Sequence, residues 1–484
     1  MSLSQTRQHT AFDKVLRDIA DYVCNYRITT TGGTPVWEAA HYCLIDSLGC
    51  AFEARAYPGC NQLIGPIVSG TVVPFGARVP ATSWQLDPVE AAFSTSTLIR
   101  WLDFNDAFYG ETVIHPSDCI GALLAVADWQ SRRRVSQGKA PLLVRDVLDA
   151  MIRAYEIMGC LALANGFTTR MGIDHVILIK IGAAALATKL LGGTRDDILN
   201  AVSNAWIDGQ PLALFRRGPD AGARKSWAAG DAAARGVWLA LMAMRGEMGY
   251  PSALTAKTWG FYDVMNQGEP FMFQRPYENH VIENVQYKIS YPAGIHAQSA
   301  AEAAIALHSA TAHRIDKIRQ IEIRTHQYAH GILNRTGALK HVAERDHSLQ
   351  YIAAICLIFG RLEAADYEDA IAADPRIDAL RAKIVLTEHA PYTQAFYDPS
   401  KRANPNAIRV TFNDGTQTAW MAVEYPIGHP RRRKQGIPLL KKKFESGVAR
   451  VFNDKRRLEI VALCNDRARC AAMPVNTFLD LFSA

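Results

Sequence analysis

The chain has 484 residues, 49% of them hydrophobic and 21% charged, with a net charge of +6. That composition excludes wholesale disorder, and the length exceeds one core of ordinary size, so two or more domains are expected. No uninterrupted apolar run approaches the roughly 18 residues a membrane span needs, and the nine cysteines contain no CxxC pair, so neither a zinc ribbon nor a ferredoxin-like cluster is signalled.

The polar start, Met1 to Thr10, is followed by Asp13, Asp18 and Asp21, whereas a mitochondrial transit peptide is poor in acids. With the odd cysteine count this points to a reducing compartment. A cytoplasmic protein is expected, with the mitochondrion as the alternative. From about residue 12 to 275, apolar residues recur three and four apart and predict helices over 39–54, 88–102, 119–131, 144–164, 176–191, 194–207 and 228–245. Thr194 before Arg-Asp-Asp is a plausible N-cap, and Gly192-Gly193 reads as a helix C-cap, not a phosphate loop.

After Tyr277 the texture changes. Ile318 to Thr325 alternates apolar and polar as a half-buried strand does, and two short strand patterns, 407–412 and 418–423, flank the hairpin signal Asn413-Asp414-Gly415. Helical patterns at 298–310 and 347–359 lie between them, so an α+β domain over 280–440 is expected beside a helical domain over 1–279. The tail, 441–484, is helical again and is expected to return to the first domain. The basic run at 431–434 and 441–443 has no aromatic residues interleaved for base stacking. It reads as a solvated face, and no nucleic-acid partner is expected.

Four segments carry candidate chemistry. Arg100-Trp101-Leu102-Asp103-Phe104-Asn105-Asp106 precedes His115-Pro116-Ser117-Asp118, which puts acids and an imidazole at adjacent helix ends. Ser117 and Asp118 read first as N-caps, while Asp103 and His115 read as functional. Phe215-Arg216-Arg217-Gly218-Pro219-Asp220 and Arg224-Lys225-Ser226 place four cations in ten residues, on a loop leading into an Ala-rich helix, where backbone amides would add to an anion site. Gly172-Ile173-Asp174-His175 sets a histidine at a helix start. Lys288-Ile289-Ser290-Tyr291-Pro292-Ala293-Gly294-Ile295-His296 sets another at the opening of the α+β domain. His326 and His330 lack an HExxH context and are not read as metal ligands. Arg345-Asp346-His347-Ser348 reads as a helix-capping segment.

These motifs, with Ala40 to Cys50, Gly246 to Ala256, Trp259 to Val264 and Val423 to His429, resemble the MmgE/PrpD superfamily nearly end to end. The resemblance implies a mainly α protein, with a large all-helical domain, a smaller α+β lid, and C-terminal helices that return to the first domain. It also implies a homodimer with an active site between the domains. It places Asp103, His115, His175 and Lys225 around a small tricarboxylate, and a family member that decarboxylates cis-aconitate uses equivalents of these four. Asn105, Asp106, Arg217, Arg224, Ser226, Tyr291 and His296 are the implied substrate-binding residues, although the decarboxylase's own lid histidine falls near Gly294.

The implied activity is dehydration of a 2-alkylcitrate to an alkyl-cis-aconitate, with no metal and no cofactor; decarboxylation of cis-aconitate is the alternative. His115, oriented by Asp103, would move one proton and His175 the other, while Lys225 with Arg224 or Arg217 grips carboxylates. This chain departs from the family pattern at Ala107 to Ile114, where the relatives carry a Trp-containing segment, at Phe215 to Asp220, and at Gly294, where they carry an acid. Those departures raise the expectation of an alkyl group longer than methyl.

Overall fold

A computed structural model describes residues 11–28, 35–207, 209–217 and 221–483. The polar start at Met1 to Thr10 and the Gly218-Pro219-Asp220 part of the basic loop lie outside the described residues. The fold is mainly helical, with a four-stranded sheet in its second part and a two-stranded pairing of Ala77–Arg78 with Gln85–Leu86 in its first. The principal helices of the first part are α1 (Lys14–Asn25), α2 (Pro35–Ala54), α3 (Pro88–Arg100), α4 (Ile120–Ser136), α5 (Val144–Ala164), α6 (Val176–Leu190), α7 (Arg195–Ile207) and α8 (Arg224–Met244).

Their ends have local causes. Asp87 caps α3 by accepting from Val89 N and Glu90 N at 2.9 and 3.2 Å, and Pro88 fills the first helical position. At the start of α7, Thr194 Oγ1 accepts from Asp197 N at 3.2 Å while the Asp197 carboxylate accepts from Thr194 N at 2.7 Å. The Ala-rich helices approach closely. A Cβ on Gly230 of α8 would stand 2.2 Å from the Thr97 hydroxyl of α3, so only glycine fits that crossing.

The second part contains α9 (Gln298–Thr311), β1 (Ile318–Thr325), α10 (Leu349–Phe359), β2 (Ile384–Glu388), β3 (Asn406–Phe412) and β4 (Met421–Val423). The strands lie in the order β2-β1-β3-β4, with β1 parallel to β2 and antiparallel to β3. β3 and β4 form the expected hairpin, with Gly415 at φ +85° in the turn. β2 is an addition to the sequence reading: Ile384-Val385-Leu386-Thr387-Glu388 is too short to stand out by alternation and gains its strand identity from pairing with β1. α10 begins two residues later than its apolar pattern suggests, because Ser348 is the N-cap and accepts from Tyr351 N at 3.2 Å. His347 is thereby left outside the helix.

Two buried apolar clusters result. One draws on residues from Val15 to Ile289 and again from Ile427 to Phe482, and the other on Ala293 to Phe412. Val281, Ile282, Val285 and Tyr287, which lie after the change of texture, are in the first cluster. The tail helices α11 (Arg433–Val451), α12 (Asp454–Asn465), α13 (Arg467–Ala472) and α14 (Val475–Leu481) also pack into it.

The basic run at 441–443 needs a correction. Lys443 is not a solvated charge: its side chain is 8% exposed, and its ammonium binds Asp46 at 2.8 Å, the Phe104 carbonyl at 2.8 Å and the Lys288 carbonyl at 2.9 Å. A buried ammonium needs partners on every proton, and these three tie α11 to both segments that carry the candidate site. Among the described residues, no helix is long and apolar enough to cross a membrane.

Candidate active site

α3 delivers Arg100 at its last turn, and the chain then reverses through Asp103, a non-glycine residue at φ +48°. That left-handed turn costs an L-residue roughly 1 to 2 kcal/mol and is held by charge. The buried Asp103 carboxylate accepts from Arg100 and from Lys288, whose ammonium also binds the Asp103 carbonyl at 2.7 Å. Burial pushes the Asp103 carboxyl up, but Arg100 and Lys288 outweigh it and hold the group well below the usual carboxylate range. Lys288 is fully buried and depressed to about 8 by that burial, with Asp103 opposing the shift.

The loop after Asp103 folds onto the short 3-10 helix Pro116–Cys119. Asp106 accepts from the Ser117 amide and hydroxyl at 3.1 and 2.6 Å and from the Tyr155 hydroxyl at 2.8 Å. Burial raises its carboxyl to about 6. Asn105 donates to Ser117 Oγ and Asp118 Oδ1, both at 2.8 Å, and accepts from Arg100 at 3.2 Å. Asn105 and Asp106 therefore spend their hydrogen-bonding capacity on the protein, and the structure places them as scaffolding of the loop. Ser117 and Asp118 do not cap the following helix as expected; they face inward to this network.

His115 Nδ1 lies 2.6 Å from the Asp106 carbonyl. A carbonyl only accepts, so Nδ1 carries the proton and the Nε2 lone pair is left as a base. Asp103 is thus not the hydrogen-bonding orienter of His115; the backbone of its own loop is. His175, the residue before α6, has Nδ1 3.2 Å from Asp174 and Nε2 3.6 Å from Asp118, and its ring centroid is 5.2 Å from that of His115. Burial depresses both imidazoles, His115 strongly, with Arg100 and Lys288 adding to the effect there, so both are neutral near pH 7.

The basic segment is arranged differently from the expected loop of free cations. Arg224, Lys225 and Ser226 form the first turn of α8, and among the described residues each cation except Arg217 already has a carboxylate. Arg216 binds Asp174 at 2.7 Å, Arg224 binds Asp231 at 2.8 Å and also covers the Trp227 ring, and Lys225 binds Asp346 at 2.5 Å. Arg217 is exposed and reaches the Tyr328 hydroxyl across the domain junction at 3.3 Å. Ser226 is half-buried.

Lys225 also donates to the Ala343 carbonyl at 2.9 Å and approaches His347 Nδ1 at 3.0 Å. Asp346 and His347, expected to be a capping segment, are instead the lid's contribution. His347 Nε2 lies 3.6 Å from Asp103, and burial, then Lys225, hold its imidazole at about 4. The adjacent Gly294 carries no side chain: a Cβ there would meet His347 Nε2 at 3.5 Å.

His296 is buried in a ring cluster with Tyr328 at 4.9 Å, His326 at 5.3 Å and Tyr109 at 5.7 Å, and its Nδ1 has no hydrogen-bond partner. Tyr291 packs against the lid core. Asp103, Asp346 and His347 offer atoms within 4.8 Å of one another, but Arg100, Lys288 and Lys225 already bind the two carboxylates. That set is neutralised before any divalent cation approaches.

The structure thus gathers Asp103, His115, His175 and Lys225 with Arg100, Lys288, Asp346 and His347, leaves Arg224 engaged elsewhere, and keeps His296 and Arg217 at the rim. Lys288 stands at the head of a segment singled out in the sequence. Its role was not legible there, because its partner Asp103 is far away in the chain.

Comparison with known proteins covers nearly the whole chain. The MmgE/PrpD N-terminal domain model matches residues 17–274 and the C-terminal domain model residues 291–467. The chain is 54% identical to the 2-methylcitrate dehydratase of Salmonella typhimurium over the whole of both chains. It is 54% identical to that of Escherichia coli over 97% of each, and 46% identical to the mitochondrial 2-methylcitrate dehydratase of Yarrowia lipolytica over 97% of this chain and 90% of the relative. With two family models that together match most of its length, and full-length relatives at such identity, this chain belongs to the MmgE/PrpD family.

Proposed function

We propose that the chain is a hydro-lyase that converts 2-methylcitrate to 2-methyl-cis-aconitate and water by side-chain acid/base chemistry without a metal. One observation carries the chemistry: two neutral buried imidazoles, 5.2 Å apart, stand beside the buried cations Arg100, Lys225 and Lys288. The relatives' shared name supplies the substrate.

In the elimination, a C–H bond next to the hydroxyl-bearing carbon breaks and its proton passes to His115 Nε2. The carbon–oxygen bond breaks as the double bond forms, and the departing hydroxide takes a proton from an acid, the role proposed for the Lys288 ammonium, since a neutral His175 can accept a proton but not supply one. The developing enediolate is stabilised by the fixed cations in a site where water is excluded. A carboxylate of the substrate would compete with Asp346 for Lys225, linking binding to the lid. Turnover of 2-methylcitrate with release of an unsaturated tricarboxylate and no carbon dioxide tests the reading. Carbon dioxide release from cis-aconitate in its place would establish the decarboxylase alternative.

A longer 2-alkylcitrate is the second reading, favoured by the missing side chain at Gly294 beside His347, where the family pattern has an acid. The ratio of kcat/KM on methylcitrate to that on a longer homologue decides between them. We also propose a homodimer. Trp259 at 85%, Val264 at 59%, Met248 at 52% and Trp238 at 51% exposure leave large apolar side chains in solvent along one stretch of chain, as an interface would. Sedimentation equilibrium at micromolar concentration measures it.

A further inference from the structure

A cavity of about 370 Å³ lies at the domain junction, away from the histidine pair. Tyr109, Arg275, Gln286 and Arg431 belong to its helical-domain wall, and Lys401 and Arg402 to its lid wall. Two features mark it as built for a ligand. Gln286 is 1% exposed, yet neither its side-chain nitrogen nor its oxygen has a well-formed hydrogen bond, and the Tyr109 hydroxyl beside it, also buried, has none either. Buried polar atoms are nearly always satisfied, so a group of them around one cavity points to a missing polar occupant.

The second feature is charge. Arg402 donates to the Tyr109 carbonyl and Arg431 to the Ser400 carbonyl at 2.8 Å. Carbonyls accept hydrogen bonds but do not neutralise a guanidinium. His280, also on the wall, is held at about 4 by burial and by Arg275 and Arg402, so it adds no charge of its own until an anion arrives.

We propose that this cavity is a second anion site, separate from the catalytic cluster, which takes a small di- or tricarboxylate. Guanidinium forks suit carboxylate oxygens, the Gln286 amide and Tyr109 hydroxyl supply neutral donors, and the volume lies at the small end of ligand sites. Because its walls come from both domains, an occupant ties the lid to the helical domain. Inorganic phosphate shares the oxyanion chemistry and is the competing source.

The test is calorimetric titration of the full chain with tricarballylate, a tricarboxylate that has no hydroxyl to eliminate. The expected result is a binding event that persists in His175→Ala and is lost in the combined Lys401→Gln, Arg402→Gln and Arg431→Gln variant, whose kcat stays within about two-fold of the parent. Lys401→Gln with Arg431→Gln alone, both on the surface, is expected to weaken that event at least five-fold, which covers failure of the triple variant to fold. Binding unchanged in these variants, or no event beyond the one that His175→Ala removes, overturns the proposal. Phosphate displacing tricarballylate at equal concentration overturns the carboxylate assignment.

Discussion

Replacing Asp103 by Asn removes one charge and almost nothing else. Asn tolerates the left-handed region better than other non-glycine residues, so the turn at φ +48° is kept. What is lost is the shared partner of Arg100 and Lys288, both buried. Removing one member of a buried ion pair costs about 3–5 kcal/mol. Arg100 retains Asp118 at 3.7 Å, which argues for the lower end, about 3 kcal/mol.

In the parent, Asp103 is held well below the ordinary 3.8. Its contribution is therefore present above that pH and lost only as acid protonates it in the fold, whereas the variant lacks it at every pH.

The second consequence is kinetic. Asp103 opposes the depression of Lys288, which stands at about 8. At ~3 Å and an effective dielectric constant of ~20, their attraction is about 5 kcal/mol as an upper bound. One pKa unit requires about 1.36 kcal/mol, so the fall has a ceiling of about four units, and about a quarter of that attraction already lowers Lys288 by one unit and leaves it largely neutral at pH 7.5. Urea unfolding with an unchanged m-value measures the first effect and the pH profile of kcat/KM the second. The parent is expected to lose activity above about pH 8, and the variant at least a unit earlier. A stability loss under about 1 kcal/mol together with an unmoved alkaline limb would refute both the electrostatic account of the turn and the role given to Lys288.

Four further outcomes are expected. His115→Ala is expected to lower kcat at least about 100-fold, the usual worth of a general base, with its circular dichroism unchanged; turnover within a few-fold of the parent would end the acid/base scheme. Unfolding free energy is expected to fall on acidification from 6.5 toward 4, by up to about 1.36 kcal/mol per pH unit from His347 alone, because the unfolded chain then binds the proton that the folded imidazole refuses; a flat urea midpoint over that window would contradict it. Exhaustive dialysis against a chelator should leave kcat unchanged, and loss of activity restored by a divalent ion would transfer the chemistry to a metal. Gly294→Asp is expected to lower kcat/KM on longer alkylcitrates more than on methylcitrate, and equal losses on both would remove Gly294 from specificity.

Much of the fold was legible in the sequence because its causes are local. Apolar residues three and four apart mark α5 at both ends, Asn413-Asp414-Gly415 supplies the hairpin turn, and Thr194 and Gly192 bound their helices through their own short-range bonds and backbone freedom. β2 was not legible, since a five-residue strand acquires its identity from a neighbour distant in the chain. The same distinction runs through the site. Asp103, His115, His175 and Lys225 stand out because each lies in an unusual motif at a helix end.

Which of them touch, and with what, was a tertiary decision. Lys288 meets Asp103 across a long stretch of chain, and Lys443, from a helix that returns from the far end, binds the Phe104 and Lys288 carbonyls beside that contact. Asp346 and His347 look like a helix cap until the lid sets them against Lys225. Asn105 and Asp106 look like ligands for substrate until the loop closes and consumes their hydrogen bonds. The sequence by itself determined which residue types stand at the ends of which elements, because helix periodicity and capping act over a few residues. Only the tertiary structure decided which charges face each other, because burial and Coulomb attraction depend on distances that the chain order does not contain.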